Sequence, residues 1–329
     1  MSAAPGRSGD RPRAVFFGSP AFAVPCLRAV AAQTELCAVV SQPDRPAGRG
    51  QAPAAPAVKR EAEALGMASL PGLPILQPEK IRTPETHAAL AALGADLFVV
   101  VAYGRILPQT LLDLPRLGSF NVHASLLPKL RGAAPIQWAI IRGERQTGVS
   151  IMRMEAGLDT GPVAAVRALD ITDHDTTGTL SVKLADLGAN LLVDTLPAIV
   201  GGTVALHRQD DGAATLAPLL TKADGIVNFN QPARLVSAQA RGVDPWPGAT
   251  TTLGGEPLKL FAPRVVAAAA SAAPAPPGMI RDVTADGLVV SCADDAQMIA
   301  FAEIQFPGKR RMPAALARDR LPPGTRLGS

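Results

Sequence analysis

The first 200 residues alternate short apolar runs with helix-like segments, and this alternation constrains the fold more than any other feature. The clearest apolar run is Asp96–Ala102 (DLFVVVA), which is apolar throughout after its first residue. Such a run is typical of a strand covered on both faces, as in a parallel sheet. The alternation therefore predicts a doubly wound α/β domain with a mostly parallel sheet. Ligands of such sheets bind beyond the carboxyl ends of the strands, so functional residues are expected just after the strands.

The individual elements follow from the same alternation. The predicted strands are Arg13–Gly18, Leu36–Ser41, Asp96–Ala102, Ser119–His123 and Val149–Met154, and the predicted helices are Pro20–Gln33, Pro56–Gly66, Pro84–Gly94 and Thr176–Gly201. The turn after the first strand reads FGSP instead of G-x-G-x-x-G. This difference disfavours a dinucleotide-binding oxidoreductase.

The chain changes character after about residue 200. One predicted helix, Pro232–Gly242, is followed by short β-like runs separated by Gly, Asp and Pro, which predicts a small, OB-like β-barrel. Within it, the low-complexity stretch Val265–Pro277 is predicted to be a flexible loop. The predicted divisions are a disordered tail at 1–12, an α/β domain at 13–200, a linker at 201–220 and the barrel domain at 221–329.

Composition excludes several classes of protein. Hydrophobic residues make up 47% of the chain, which is enough for a sizeable core, and no apolar stretch is long enough for a signal peptide or a membrane span. We therefore expect a cytoplasmic protein with no membrane association. We also expect it to be a monomer. The three cysteines form no C-x-x-C pair and are predicted to be reduced, and the four histidines show no zinc-ligand spacing, so no metal is expected.

Chemistry-bearing residues follow two of the predicted strands. Asn121 and His123 are two residues apart in Ser119–His123, so a strand would place them on one face. Together they could polarise a carbonyl group and transfer its protons. Asp159 lies in the loop EAGLDTGP after Val149–Met154, where neighbouring glycines allow a ligand to approach closely. A structural histidine and an Asx-turn aspartate are the simpler explanations of each segment taken alone.

A family resemblance links these segments. Asn121–Ile140 (NVHASLLPKLRGAAPIQWAI) and Thr147–Val163 (TGVSIMRMEAGLDTGPV) together resemble the signature of the 10-formyltetrahydrofolate-dependent transferases. Four further segments resemble the branch of that family that acts on methionyl-tRNA: QPDRPAGRG at Gln42–Gly50, VVVAYGRILP at Val99–Pro108, DPWPGA at Asp244–Ala249 and GKRRM at Gly308–Met312. The resemblance extends from about Arg13 to about Leu321 and implies the formyltransferase fold.

The resemblance also implies roles for particular residues. It makes Asn121, His123 and Asp159 the catalytic set. The formyl donor would be 10-formyltetrahydrofolate, with no metal, and the donor-contacting turn is expected to consist of Ser125, Leu126, Leu127 and Pro128. The acceptor implied is initiator methionyl-tRNA, and the barrel domain would then be a tRNA-binding domain.

Two basic regions are expected to contact that tRNA. The loop with Arg45 and Arg49 resembles the family's loop that enters the acceptor arm, although its charge alone would suggest only a solvated loop. After Gln305 the chain has six basic residues and one acidic residue, which suits phosphate contacts, the alternative being a solvated tail. The expected contacts there and near the domain entrance are Lys222, Lys309, Arg310 and Arg311.

One segment departs from the family pattern. Leu216–Asn230 (LAPLLTKADGIVNFN) replaces the family's usual K-x-x-K-E-E-x-x-I-D-W stretch, and only Lys222 of its charged residues is retained, followed by Ala223 and Asp224. Other readings also remain open: a formyltransferase that acts on glycinamide ribonucleotide or a sugar-nucleotide amine, a formyltetrahydrofolate hydrolase, and a non-catalytic RNA-binding protein with a degenerate fold. The basic regions disfavour the first, a product assay separates the second, and the filled catalytic positions disfavour the third.

Overall fold

The computed structural model describes residues 11–47, 52–268, 274–294 and 296–328, which divide into two compact units. The first unit contains the described residues up to Ala133 together with 148–169 and 182–216. The second contains 134–147, 170–181 and the described residues from 217 onward. Of the predicted tail, residues 1–10 lie outside the described residues.

The first unit is built on a seven-stranded sheet of order β5-β2-β1-β6-β7-β8-β9. The strands of the first part of the chain are β1 (Arg13–Gly18), β2 (Glu35–Val40), β3 (Arg45–Ala47), β4 (Ala52–Ala54), β5 (Ile75–Leu76), β6 (Leu97–Val101), β7 (Ser119–His123), β8 (Gln146–Arg153) and β9 (Val163–Asp170). Strands β5, β2, β1, β6 and β7 pair in parallel, β8 runs antiparallel to β7, and β3 and β4 form a separate hairpin. The predicted, mostly parallel sheet is confirmed.

Helices cover both faces of this sheet. The helices are α1 (Val24–Gln33), α2 (Ala57–Ala68), α3 (Pro84–Ala92), α4 (Gln109–Leu112) and α6 (Thr177–Val200), and the second unit contains α5 (Pro135–Ile141) and α7 (Ala233–Gly242). On one face Leu90 of α3 packs in a cluster with Phe98 of β6. On the other face α6 lies so close that a Cβ on Gly188 would be 3.0 Å from Cγ1 of Val122 and 3.8 Å from Sγ of Cys26. The domain is therefore doubly wound, as predicted.

Residues 201–216, part of the predicted linker, fold back onto the first unit. The main chains of Val163 and His207 exchange two hydrogen bonds of 2.8 and 2.9 Å, and Arg131 forms a bridge with Leu216. The segment lacks hydrophobic periodicity because backbone and polar side-chain hydrogen bonds hold it. That is the reason the sequence suggested a linker.

The second unit contains a six-stranded sheet of order β10-β11-β14-β13-β12, with β15 paired to β14. Its strands are β10 (Ala249–Leu253), β11 (Glu256–Ala267), β12 (Ile280–Thr284), β13 (Gly287–Ser291), β14 (Gln297–Gln305) and β15 (Met312–Pro313). All of these pairings are antiparallel.

The end of the chain joins the two edges of this sheet. Leu327 bridges to Leu253 of β10, and Arg326 bridges to Met279, which immediately precedes β12. Inside, side chains such as Phe301 and Val236 form one buried cluster. The predicted small antiparallel domain is confirmed, and its sheet closes through the C-terminal segment.

The predicted flexible loop Val265–Pro277 begins instead as a strand. Residues 265–267 complete β11 and pair with β14, with Val265 opposite Ile299. Residues 269–273 lie outside the described residues. The alanine-rich composition concealed this strand because alanine carries little β propensity of its own.

The cysteines are unpaired: Cys26 and Cys292 are buried, and Cys37 is half-buried. Within the described ranges, no helix combines the length and the apolar character that crossing a membrane requires.

Candidate active site

Strand β7 brings Asn121 and His123 to the same face of the sheet. Alternate residues of a strand point to opposite faces, and Val122 between them packs toward α6. His123 is 6% exposed, and Asn121 is half-buried. Both side chains therefore lie on the face opposite α6, at the carboxyl end of the strand, as the sequence predicted.

His123 is held at both ring nitrogens. Its Nε2 atom lies 3.0 Å from the carbonyl oxygen of Leu130, and its Nδ1 atom lies 3.7 Å from Oδ2 of Asp159. Because a carbonyl oxygen only accepts hydrogen bonds, this contact places a proton on Nε2. Nδ1 is then the unprotonated nitrogen of a neutral ring, and it faces a carboxylate.

Asp159 is held in an uncommon backbone conformation. Its φ is +52°, a left-handed value that residues other than glycine adopt rarely. Its Oδ2 accepts a hydrogen bond of 2.8 Å from the main-chain N–H of Gly132, and its Oδ1 lies 3.5 Å from Nδ2 of Asn121. Strand β7 and the loop that carries Asp159 thus meet at this carboxylate.

The three side chains form a compact set of complementary groups. The carboxylate of Asp159 lies 3.7 Å from Nδ1 of His123, where it would attract a positive charge on the ring. The long contact from Asn121 leaves its amide able to donate to a ligand oxygen. Such a site can stabilise an oxyanion and transfer a proton.

Gly161 is required where the Asp159 loop returns to the sheet. A Cβ on Gly161 would overlap the carbonyl oxygen of Arg153 at the end of β8 and would lie 3.5 Å from the main-chain nitrogen of Glu155. The main-chain N–H of Arg153 also donates to the carbonyl oxygen of Pro162 at 2.9 Å. The glycine of the D-T-G sequence therefore permits this close backbone approach.

Two buried polar residues beside the site were not predicted. Arg131 and Gln209 are 6% and 9% exposed, and the Gln209 amide donates to the main-chain oxygen of Asp159 at 2.8 Å. Arg131 lies within a segment that carries the family resemblance, which was an available signal. Gln209 lies in the segment predicted as a linker, and nothing in its sequence context indicated contact with Asp159.

The predicted donor-contacting turn is buried at its first residue and partly accessible at the other three. Ser125 is fully buried, and its hydroxyl donates to the carbonyl oxygen of Lys129 at 2.6 Å. Leu127 and Pro128 instead line an open cavity of about 440 Å³. Leu126 and the two residues after it are half-buried, so the turn is partly available to a ligand.

Arg45 lies exposed in the β3–β4 hairpin, and Arg49 lies outside the described residues. The hairpin is fixed at its base by Asp44, which accepts hydrogen bonds from Lys59 Nζ at 2.8 Å and Gln77 Nε2 at 2.7 Å. The hydrogen bonds from Gln77 and Lys59 lower the pKa of the Asp44 carboxyl below its ordinary value. Asp44 therefore stays ionised at neutral pH and holds the loop that presents Arg45.

The predicted basic cluster of the second unit divides into two kinds of residue. Arg311 has partners within the protein: it forms an ion pair with Glu303, and its guanidinium group lies 4.2 Å from the ring centre of Phe261. Lys309 and Arg310 are exposed. Lys309 and Arg310 are thus the members of the cluster more available to a partner.

The divergent segment retains a defined local structure around Lys222. Lys222 is exposed at the start of a short 3₁₀ turn, Lys222–Gly225. The hydroxyl and the main-chain N–H of Thr221 both donate to the Asp224 carboxylate, at 2.8 and 2.6 Å. Asp224 therefore caps the turn that positions Lys222.

Among the residues that the structure describes, no group of three or more His, Cys, Asp or Glu is arranged to hold a metal ion.

Comparison with known proteins identifies the family. The formyl transferase family model matches residues 13–196, which is more than half of the chain, and the formyl transferase C-terminal domain model matches residues 219–319. The chain belongs to the formyl transferase family. The first match includes both strand-end loops of the site, so the clustered Asn121, His123 and Asp159 lie within the formyl transferase region.

Individual formyl transferases are similar along almost the entire chain. The methionyl-tRNA formyltransferase of Solibacter usitatus is 48% identical over 304 residues, which cover 92% of this chain and 94% of the relative. The methionyl-tRNA formyltransferase of Acidobacterium capsulatum is 47% identical over 319 residues, which cover 96% of this chain and 99% of the relative.

Solved formyl transferase structures share the fold at low sequence identity. The N-formyltransferase of Helicobacter canadensis, in complex with folinic acid and dTDP-3-aminofucose, superposes with a TM-score of 0.64 at 17% identity, covering 88% of this chain and 99% of that one. HypX of Aquifex aeolicus, in complex with tetrahydrofolic acid, gives a TM-score of 0.60 at 16% identity and covers 94% of this chain and 47% of that one.

Proposed function

We propose that this protein transfers the formyl group of 10-formyltetrahydrofolate to the α-amino group of methionine on initiator methionyl-tRNA, and so supports translation initiation. The observation that carries the proposal is that the side chains of Asn121 and His123 both approach the carboxylate of Asp159. The names of relatives that are 47% and 48% identical along nearly their whole length support this choice of donor and acceptor.

The reaction exchanges one carbon–nitrogen bond for another. The amine nitrogen attacks the formyl carbon, and the resulting tetrahedral intermediate carries an oxyanion and an ammonium group. The ammonium loses its proton, N10 of the donor gains one, and the bond between the formyl carbon and N10 breaks. Free α-amino groups have a pKa near ~8, and an adjacent ester lowers it, so neutral amine is available without metal activation.

Asn121 is assigned as the oxyanion donor. Among the described residues its Nδ2 makes the long 3.5 Å contact with Asp159, so it can turn toward a developing negative charge without losing a strong hydrogen bond. The preorganised amide then stabilises the tetrahedral intermediate more than the planar formyl group, which is the condition for lowering the barrier.

His123 is assigned to proton transfer or to a second oxyanion contact, with Asp159 supporting it. Because Nε2 is bonded to the Leu130 carbonyl oxygen, Nδ1 would receive the ammonium proton and pass it toward N10. Asp159 stabilises the imidazolium that exists between these two events.

The tRNA contacts are assigned to two surfaces. Arg45 and Arg49 belong by sequence to the catalytic domain, residues 13–200. Lys222, Lys309, Arg310 and Arg311 belong to a tRNA-binding domain, residues 221–329. The exposure of Arg45, Lys309 and Arg310 supports contact with phosphates. We also propose that the protein is cytoplasmic and monomeric. Light scattering of the purified protein tests the monomeric state.

A product assay tests the proposed function. The purified protein is incubated with 10-formyltetrahydrofolate and methionine-charged initiator tRNA, and the aminoacyl group is analysed by mass spectrometry. N-formylmethionine on the tRNA supports the proposal. Free formate without formylmethionine indicates a hydrolase, and transfer only to glycinamide ribonucleotide or an amino sugar nucleotide indicates another acceptor class. Binding of tRNA without either product indicates a non-catalytic protein.

A further inference from the structure

Arg131 and Gln209 form a buried hydrogen-bonded pair behind the Asp159 loop. Both Nε and Nη2 of Arg131 donate to Oε1 of Gln209, at 3.1 and 2.9 Å. Nε2 of Gln209 donates to the main-chain oxygens of Asp159 and Gly161, at 2.8 and 2.7 Å. Nη2 of Arg131 also pairs with Oδ1 of Asp211 at 2.8 Å.

The chemistry of the two side chains fixes the direction of this network. A guanidinium group only donates hydrogen bonds, so the oxygen of the Gln209 amide must face Arg131. The NH₂ group of Gln209 must then face the opposite way, where two carbonyl oxygens accept its two hydrogens. Arg131 therefore determines that Gln209 presents donors to the loop. These two donors bracket the turn in which Asp159 takes its left-handed φ of +52°.

The main chain around Arg131 contacts the site at two further points. The carbonyl oxygen of Leu130 bonds to His123, and the N–H of Gly132 donates to the carboxylate of Asp159 at 2.8 Å. Leu130 and Arg131 are themselves held by Thr215, whose hydroxyl and carbonyl oxygens accept their N–H groups at 2.9 and 2.8 Å. Three consecutive residues, 130–132, thus orient both members of the His123–Asp159 pair.

We propose that Arg131 and Gln209 are positioning residues for the formyl transfer step: they hold the Asp159 carboxylate at the distance and angle at which it supports His123. The inference rests on the proposed assignment of Asp159 to catalysis. The hydrogen bonds of the two side chains go to each other, to Asp211 and to the main chain of the Asp159 loop. Their effect passes through the Asp159 loop, and a displacement of about 1 Å at a reacting centre costs on the order of 100-fold in rate.

Two substitutions at Gln209 and two at Arg131 distinguish the loss of the positioning hydrogen bonds from a change in side-chain size. Gln209→Leu removes the donors and the acceptor, while Gln209→Glu keeps the shape and the contact with Arg131 but replaces the two donors with an acceptor. Both should lower kcat by about 10- to 100-fold and change KM for either substrate by less than about threefold. Arg131→Leu should behave like them, and Arg131→Lys should recover part of the loss because it keeps one charged donor.

A matched control exists in the same unit. Arg167 and Asp194 form an arginine–aspartate pair of 2.8 Å, and among the described residues no hydrogen bond or ion pair joins this pair to the Asp159 loop. Arg167→Leu should leave kcat unchanged. Thermal unfolding of each variant distinguishes misfolding from mispositioning, because a merely structural role would lower the melting temperature and leave kcat per folded molecule intact. If Gln209→Leu does not fold, Gln209→Glu carries the test.

A double-mutant cycle with Asp159 is the decisive measurement. If Gln209 acts through Asp159, Gln209→Glu should cost less than about threefold when it is added to Asp159→Asn, although it costs 10-fold or more in the natural chain. An undiminished additional loss would overturn the positioning inference while leaving the catalytic set intact. Near-normal kcat in Asp159→Asn alone would instead overturn the proposed catalytic role of Asp159.

Discussion

The Nε2 atom of His123 lies 3.0 Å from the carbonyl oxygen of Leu130, and this contact fixes which ring nitrogen is directed toward Asp159. A flipped ring would bring its carbon atoms against the carbonyl oxygen and lose the hydrogen bond of a buried polar group, which costs about 1 to 3 kcal/mol. The ring is therefore held with its other nitrogen, Nδ1, toward the carboxylate of Asp159.

This arrangement predicts severe losses from single substitutions in the catalytic set. Asn121→Ala, His123→Ala and Asp159→Ala should each lower formyl transfer by about 100-fold or more, because each removes a preorganised group that supports charge in the transition state. Double substitutions should cost less than the product of the single effects, since the three groups act as a unit. Single-turnover kinetics on folded protein measures this. Near-normal turnover of folded His123→Ala would remove the histidine from the mechanism.

The exposed hairpin predicts an effect confined to the tRNA acceptor. Arg45→Ala should lower kcat/KM for charged tRNA by about tenfold or more, because a hydrogen bond to a charged group contributes about 1.5 to 3 kcal/mol. Arg49→Ala is expected to behave in the same way. Binding of the folate donor, measured by calorimetry, should not change. Arg82→Ala, at another exposed arginine, is the control. Equal losses in tRNA and donor binding would show that the hairpin shapes the active site instead.

The basic residues of the second unit predict a graded salt dependence. Lys309→Ala and Arg310→Ala should each flatten the slope of log affinity for tRNA against log salt by roughly 0.7 to 0.9, the value for one lost phosphate contact. Arg311→Ala should lower the melting temperature more than either, because it also breaks the contacts with Glu303 and Phe261. Filter binding across a salt series measures the slopes. Unchanged slopes in the Lys309 and Arg310 variants would contradict their contact with phosphates.

Point substitutions are preferable to truncation for this question. A chain that ends near Gly202 would lose Gln209 and Thr215, both of which hold the active-site loops. Such a fragment would change donor turnover and tRNA binding together, so it could not separate the two.

The close approach at Gly161 predicts a purely steric loss of activity. Gly161→Ala should lower kcat by about 10-fold or more, because its Cβ would displace the Arg153 carbonyl or the loop that carries Asp159. Gly66→Ala, where the added carbon meets no atom within 4 Å, is the matched control and should retain full activity. Wild-type rates in Gly161→Ala would mean that the loop moves without consequence for catalysis.

Burial predicts unreactive thiols at two of the three cysteines. Burial raises the pKa of Cys26 and of Cys292 to about 12, so at pH 8 almost none of either residue is thiolate, the reactive form. Iodoacetamide should therefore leave both unmodified in the folded protein, and half-buried Cys37 should react first. Peptide mass spectrometry before and after unfolding in guanidinium checks this. Rapid alkylation of Cys26 in folded protein would contradict its burial.

Much of the fold and the outline of the site could be predicted because they depend on local patterns. The apolar run at 97–101 is a fully buried strand, since only a strand covered on both faces accepts such a sequence. The spacing of Asn121 and His123 placed them on one face, because strand side chains alternate. Elements without such a pattern were missed, among them β9. Most residues of β9 are exposed or half-buried, and its bridge to His207 is consistent with its position at the edge of the sheet.

The sequence by itself determined the family, the strand ends that carry Asn121, His123 and Asp159, and the change from a parallel to an antiparallel domain, since each depends on residue types at fixed spacing. Only the tertiary structure decided that Gln209 lies against Asp159, 50 residues away along the chain. The two hydrogen bonds that its NH₂ group donates go to main-chain carbonyl groups, which are chemically the same at every residue. No sequence pattern records such a contact, because its specificity resides in geometry and not in the identity of the partner.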